Sequence, residues 1–169
     1  MSSDELENKK ELIESFMSIS VDKEIFIKKY IDCFGKINIC YDLELSISKK
    51  DADAIDLFLY FGAVIDYDYS CISILNELIL TQWHYKHEDL AIMLKHYKHP
   101  SSVDALYQVS NFELEYLDFD DSYALAVKCI WGLGDIGTPK AFEKLKILSE
   151  SDNQIIRDNA INQLKRHSR

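Results

Sequence analysis

The sequence predicts an all-α fold, and three observations predict it. Apolar residues recur every three or four positions along most of the chain. Helix start and stop signals follow one another at short intervals. Glycine (5) and proline (2) are scarce among the 169 residues, which leaves few of the turns that a multi-stranded sheet requires. The expected architecture is one domain over residues 1–169, built as an α-solenoid of antiparallel helix pairs with about eight or nine helices. The mix of 47% hydrophobic and 28% charged residues is that of a globular chain with a core, not a disordered one.

The elements follow in order. Ser2 and Glu5 stand at capping-box spacing before a first helix, whose apolar residues are Leu6, Ile13, Phe16 and Met17. A second helix runs over 22–34, with Ile25, Phe26, Tyr30 and Ile31 on one side and Gly35 as its stop. Residues 37–47 alternate strictly between apolar and polar, which is a strand signal. No second alternating run offers a pairing partner, and both neighbours are helical, so the segment is read as a third helix. Ser48 and Asp51 repeat the capping-box spacing before the apolar stretch 55–65. Helices over about 71–82 and 88–97 come next, the former with Ile72, Leu75, Leu78 and Ile79 inward. Pro100 then opens a short helix holding Val103, Leu106 and Val109. Residues 111–121 are a loop or a short helical turn. Asp121 is expected to cap a helix ending near Leu133, broken by Gly134 and Gly137. Thr138 with Pro139 forms an N-cap and first helical position. A turn at 151–153 precedes the last helix, 154–166.

Charge is unevenly spread. Residues 1–50 carry ten acids and eight bases, residues 51–125 fourteen acids and three bases, and residues 126–169 five acids and eight bases. The middle block disfavours direct nucleic-acid binding, since phosphates need Lys and Arg opposite them. It favours a basic protein partner. The longest strongly apolar stretch, 57–65, is far short of the roughly 20 residues that span a bilayer, so no membrane association is expected. The first residues lack the basic start and apolar run of a signal peptide. Cys33, Cys40, Cys71 and Cys129 form no CxxC pair, and they are expected to be buried, reduced side chains rather than a disulfide framework or a zinc site. Both points lead to an expected cytoplasmic location.

An internal repeat of 31 residues places Leu125, Cys129, Ile130 and Leu133 on Ile156, Ala160, Ile161 and Leu164. Between them lie the turn Leu133-Gly134-Asp135-Ile136-Gly137-Thr138-Pro139-Lys140-Ala141 and the turn Ser151-Asp152-Asn153, followed by Ile156-Arg157. Over about 120–166 this pattern resembles HEAT-like repeat proteins. The resemblance implies a binding scaffold with a concave surface. Small acidic members of this kind resemble bacterial immunity proteins, which neutralise a toxin from a neighbouring cell.

The leading candidate site is acidic and aromatic: Glu113, Glu115, Tyr116, Asp118, Phe119, Asp120 and Asp121. Five acids without a base in nine residues make a strong negative potential, suited to the basic cleft of a nuclease, and aromatic rings would add anchoring area. The plain alternative is a solvated loop with Asp120 or Asp121 capping the next helix. Asp66, Tyr67 and Asp68 form a second such turn, and a solenoid would align the two along one edge. His-Tyr-Lys-His occurs at 84–87 and at 96–99, with histidines at i and i+3. The pairs lack HExxH spacing and a supporting Cys pair, so no metal is expected. Trp83 and Trp131 are placed in the core. Gly132-x-Gly134-x-x-Gly137 nearly spells a dinucleotide fingerprint but follows a helix, so no cofactor is expected. No nucleophile motif is present, and catalytic residues are expected to be none. The function expected is binding and occlusion of a cognate toxin. The alternatives are a general adaptor or a HEAT-like lyase.

Overall fold

The computed structural model describes residues 3–18, 22–119 and 121–167. Among them the chain is helical throughout, with ten α-helices, two short 3-10 turns and no strand. This exceeds the expected count by at least one. The helices fall into two compact units, Met1–Cys71 and Ile72–Arg169.

The first unit holds α1 (Ser3–Ser18), α2 (Lys23–Phe34), α3 (Ile39–Lys49) and α4 (Ala52–Val64). Ser2, the expected cap of α1, lies outside the described residues. Asp22 caps α2 through the amides of Glu24 and Ile25, and Gly35 closes it with φ 75°. Phe26 and Tyr30, four apart, are buried and pack against Phe61 of α4 at ring-centroid distances of 5.4 and 4.8 Å. Ile25, Ile31 and Met17, expected on inward faces, are instead exposed. They sit one position off the helical stripe that reaches the core.

The ambiguous segment is helical. Asn38 caps α3 through Tyr41 N, and the side chains that go inward are Ile39, Cys40, Asp42, Leu43 and Ser46. That is a spacing of three and four, and it cuts across the alternation. Burial of Asp42 and Ser46 removes two of the polar positions that made the segment look like a strand. Lys9 donates to Asp42 Oδ1 at 2.8 Å, and Ser46 donates to the Asp42 carbonyl at 2.7 Å. The second capping box also differs from expectation. Asp51 alone caps α4, through Ala54 N, whereas Ser48 belongs to α3 and donates to Leu45 O.

Two cysteines correct the expectation of reduced thiols. Cys40 and Cys71 are joined in a disulfide with their Cα atoms 5.9 Å apart. Nothing in their spacing announces it, because the pair is made by the return of the chain after α4. Cys33 is an exposed free thiol, and Cys129 is a buried one whose ionisation burial pushes well up. The bond withdraws the cysteine argument for a reducing compartment. No described helix is long and apolar enough to cross a membrane.

The second unit holds α5 (Ile72–Leu80), α6 (His87–Tyr97), α7 (Val103–Val109), α8 (Ala124–Ile136), α9 (Pro139–Leu148) and α10 (Gln154–Arg166). α8 is its centre and packs on α6, α7, α9 and α10. Trp131 donates to Asn159 at 3.0 Å and Arg166 to Asp135 at 2.9 Å, at sequence separations of 28 and 31. These pairs advance together, so α8 and α10 run parallel, displaced by about one sequence repeat. Thr138 caps α9 through Ala141 N, and Asn153 caps α10 through Ile155 N and Ile156 N. Gly134 does not break α8. It lies inside the helix, where an added Cβ would meet the Gln163 side chain of α10 at 2.2 Å. The helix closes at Gly137, with φ 65°.

Candidate protein-binding site

The acidic–aromatic segment connects α7 to α8. Asn111 turns the chain off α7 by donating to Tyr107 O at 2.9 Å. A single 3-10 turn, Glu115–Leu117, follows, closed by Leu117 N to Leu114 O at 2.8 Å. Leu114 is buried and anchors the turn, while Glu113 and Glu115 on either side of it are exposed. Asp118, Phe119 and Asp121 are exposed as well. Asp120 lies outside the described residues. Asp121 is not the residue at the head of α8. Tyr123 takes the left-handed conformation (φ 53°, ψ 41°) there, and its side chain makes no cap. A sharp bend thus separates the acids from the helix.

Glu113, Asp118, Asp121 and Tyr123 surround a cavity of about 430 Å³. Its walls include Phe112, Leu114, Leu117, Leu125 and Ile156, and Asn153 reaches it from the head of α10. The floor is therefore apolar and the rim anionic. Among the described residues, Glu113, Glu115, Asp118 and Asp121 make no ion pair, whereas acids elsewhere in the unit, such as Glu88, Asp104 and Asp135, are paired. No base among the described residues is paired with them to offset their negative potential.

The aromatic contribution differs from the sequence reading. Tyr116 is half-buried, and its hydroxyl meets His87 Nδ1 at 2.8 Å, so it fastens the segment to α6 rather than facing outward. Burial first, and then Glu88 and Asp89, push its phenol up, against a hydrogen bond with the His87 backbone. The rings that do face solvent are Phe119, 83% exposed, and Tyr123, 46% exposed. Trp131, expected in the core, is 39% exposed on α8, with Lys95 over its ring at 5.5 Å. No sequence signal separates these outward rings from Tyr116, because the partner that draws Tyr116 inward is 29 residues away.

The second acidic turn belongs to the first unit. Asp66, with φ 54°, accepts from Lys23 at 2.9 Å, so its charge is already matched. Tyr67 stands edge-on to Tyr69 at 5.1 Å, and Asp68 is exposed. Tyr69 is buried against Gly62, where a Cβ would lie 1.9 Å from its hydroxyl. The two acidic segments thus fall in different units.

The first His-Tyr-Lys-His run is internal. His84 and His87 are buried and stacked, with centroids 4.2 Å apart, and all four ring nitrogens have hydrogen-bond partners. Burial depresses both, His87 to about 4. In the second run His96 is exposed, and His99 caps the 3-10 turn at Pro100 by accepting from Ser101 N. Among the described residues no three His, Cys, Asp or Glu side chains converge on a metal position.

No family model, curated protein or solved structure matches this chain. The reading of the site therefore rests on its own geometry.

Proposed function

We propose that this chain is a protein-binding module that receives a basic surface of its partner on the 111–123 segment. The observation that carries the reading is the cavity: four carboxylates without ion-pair partners, together with Phe119 and Tyr123, lie on or beside an apolar pocket of about 430 Å³. A pocket with an apolar floor and an anionic rim suits a Lys or Arg side chain, whose stem packs on the floor while its head stays near the acids. The excess of acids over bases in residues 51–125 adds long-range attraction for the same partner.

Within this class we place the chain as a HEAT-like α-solenoid acting as an immunity protein, which occludes the basic active site of a cognate toxin, a nuclease by preference. The parallel run of α8 and α10 at one sequence repeat supports the solenoid reading. The charge pattern supports a partner whose cleft is built for phosphates.

The test is capture from a lysate of the source cells on immobilised protein, compared with a variant carrying Glu113→Gln, Glu115→Gln, Asp118→Asn and Asp121→Asn. The expected result is one basic protein held near one-to-one by the wild type. Its association rate should fall roughly tenfold or more in the variant and as salt rises. Equal retention by the variant would refute the acidic segment as the site.

A further inference from the structure

The acidic segment is tied down at Tyr116, and the tie is made to one of two stacked, buried histidines. His84 Nε2 faces Leu78 O at 2.9 Å, and His87 Nε2 faces Thr81 O at 2.6 Å. A carbonyl only accepts, so both Nε2 atoms carry protons. His84 Nδ1 accepts from Lys86 N at 3.0 Å, and His87 Nδ1 is left as the acceptor for the Tyr116 hydroxyl at 2.8 Å. The His84 ring is therefore neutral, and burial keeps His87, stacked on it at 14° in the interior of the unit, neutral as well. A proton on His87 Nδ1 would reverse its bond to Tyr116, whose hydroxyl would then accept, and would put a buried cation against a second imidazole.

Among the described groups packed around the rings, no carboxylate is left unpaired to balance that cation. From α5 and the residue after it come the carbonyls of Leu78 and Thr81. On α6 and the residue before it, Glu88 is paired with Lys128 of α8 at 3.0 Å, and Asp89 lies 3.7 Å from Lys86. From the segment come Tyr116 itself and the Phe112 ring, and Tyr85 closes edge-on over Tyr116. Trp83 stands edge-on to His84. The route to solvation for a charged His87 is to lift Tyr116 away.

We infer that the His84–His87 stack and Tyr116 form an acid-released latch, which holds residues 112–119 against α6 when the stack is neutral and frees them when it gains a proton. The direction follows from His87 being harder to protonate in the closed state, at about 4, than in the open one. Closure is thus fully favoured above the ordinary histidine range near 6.5 and is lost as pH falls toward 4. Inside that window opening rises roughly tenfold per pH unit, or about 20-fold between pH 7 and pH 5. The effect of release on a partner rests on the function proposed above, whereas the latch is read on the free protein.

The test is hydrogen exchange of the free protein at pH 7 and pH 5, expressed as protection factors. The amides of Leu117 and Asp118 are bonded within the segment, and that of Phe112 to Val109 O at the end of α7, so the three report its closure. Their protection should fall about 20-fold at pH 5 while α8 and α10 keep theirs. Tyr116→Phe should lower segment protection already at pH 7 with α8 unchanged. Constant protection of the segment would overturn the latch, as would a fall shared equally by α8 and α10. A folded His87→Gln that kept the full pH response would overturn it too. If the segment opens as expected but the four-carboxamide variant binds its partner normally, the latch stands and only the functional reading fails.

Discussion

Asp42 is a carboxylate with no exposed surface, held by Lys9 at 2.8 Å and by the Tyr30 hydroxyl at 3.4 Å. Burial pushes its carboxyl up, and Lys9 pulls it back. The pair joins α1 to α3, and the ion is tolerable only while its partner stays. Lys9→Met should therefore destabilise the protein by about 3–5 kcal/mol, because it strands a buried charge. Adding Asp42→Leu should restore most of that loss, since an apolar pair of similar volume removes the penalty on both sides. Urea denaturation of the two single variants and the double variant checks this. A double variant as unstable as Lys9→Met would mean that packing, not charge, sets the cost. Such a residue is hidden from sequence reading, because in isolation Asp42 is one polar position in an alternating run. Tyr116 and Phe119 show the same limit. Both are aromatic rings among acids, and only a histidine far along the chain decides which one turns inward.

At the scale of elements, what was legible is what is local. Thr138 caps α9 and Gly35 and Gly137 end their helices as expected, and α2 and α10 begin beside Asp22 and Asn153, where the helix starts were read, because a cap is made within three or four residues. The 31-residue echo likewise marks two helices that lie side by side, α8 and α10. The misreadings are of two kinds: Gly134 meets Gln163 of α10 instead of ending α8, a tertiary contact, whereas Tyr123 takes the helix head in place of Asp121 and Asp51 caps α4 without Ser48, both local choices of backbone conformation. The Tyr123 case is testable. Tyr123 is a non-glycine residue in the left-handed region, a conformation that costs on the order of 1 kcal/mol and persists where function retains it. Tyr123→Gly should raise thermal stability by up to about 1 kcal/mol while weakening partner binding, because the ring on the cavity rim is lost. Loss of stability in the variant would show that the ring packs for structure instead.

At the scale of the molecule, the candidate site was legible as a charge block but not as a shape. Carboxylates 113, 115, 118 and 121 can be counted in sequence, whereas the cavity beneath them needs Leu125 and Asn153 brought in from α8 and the head of α10. The disulfide has the same character. Cys40 and Cys71 enclose all of α4 and the turn at 66–69, with a sequence separation of 31. Closing a loop of that size in the unfolded chain contributes roughly 3–4 kcal/mol to stability. A thiol reductant should therefore lower the unfolding free energy of the wild type by that amount, and with it the denaturation midpoint, with loss of exchange protection in α3 and α4. Cys40→Ser with Cys71→Ser should show the lowered midpoint without reductant and no further response to it. The exposed Cys33 remains in that double variant, so a continued response would assign the redox sensitivity to Cys33 instead. If reductant leaves the wild-type midpoint unmoved, the bond adds nothing to stability. The first unit would then be held by its aromatic core, Phe26, Tyr30 and Phe61, together with the Lys9–Asp42 pair.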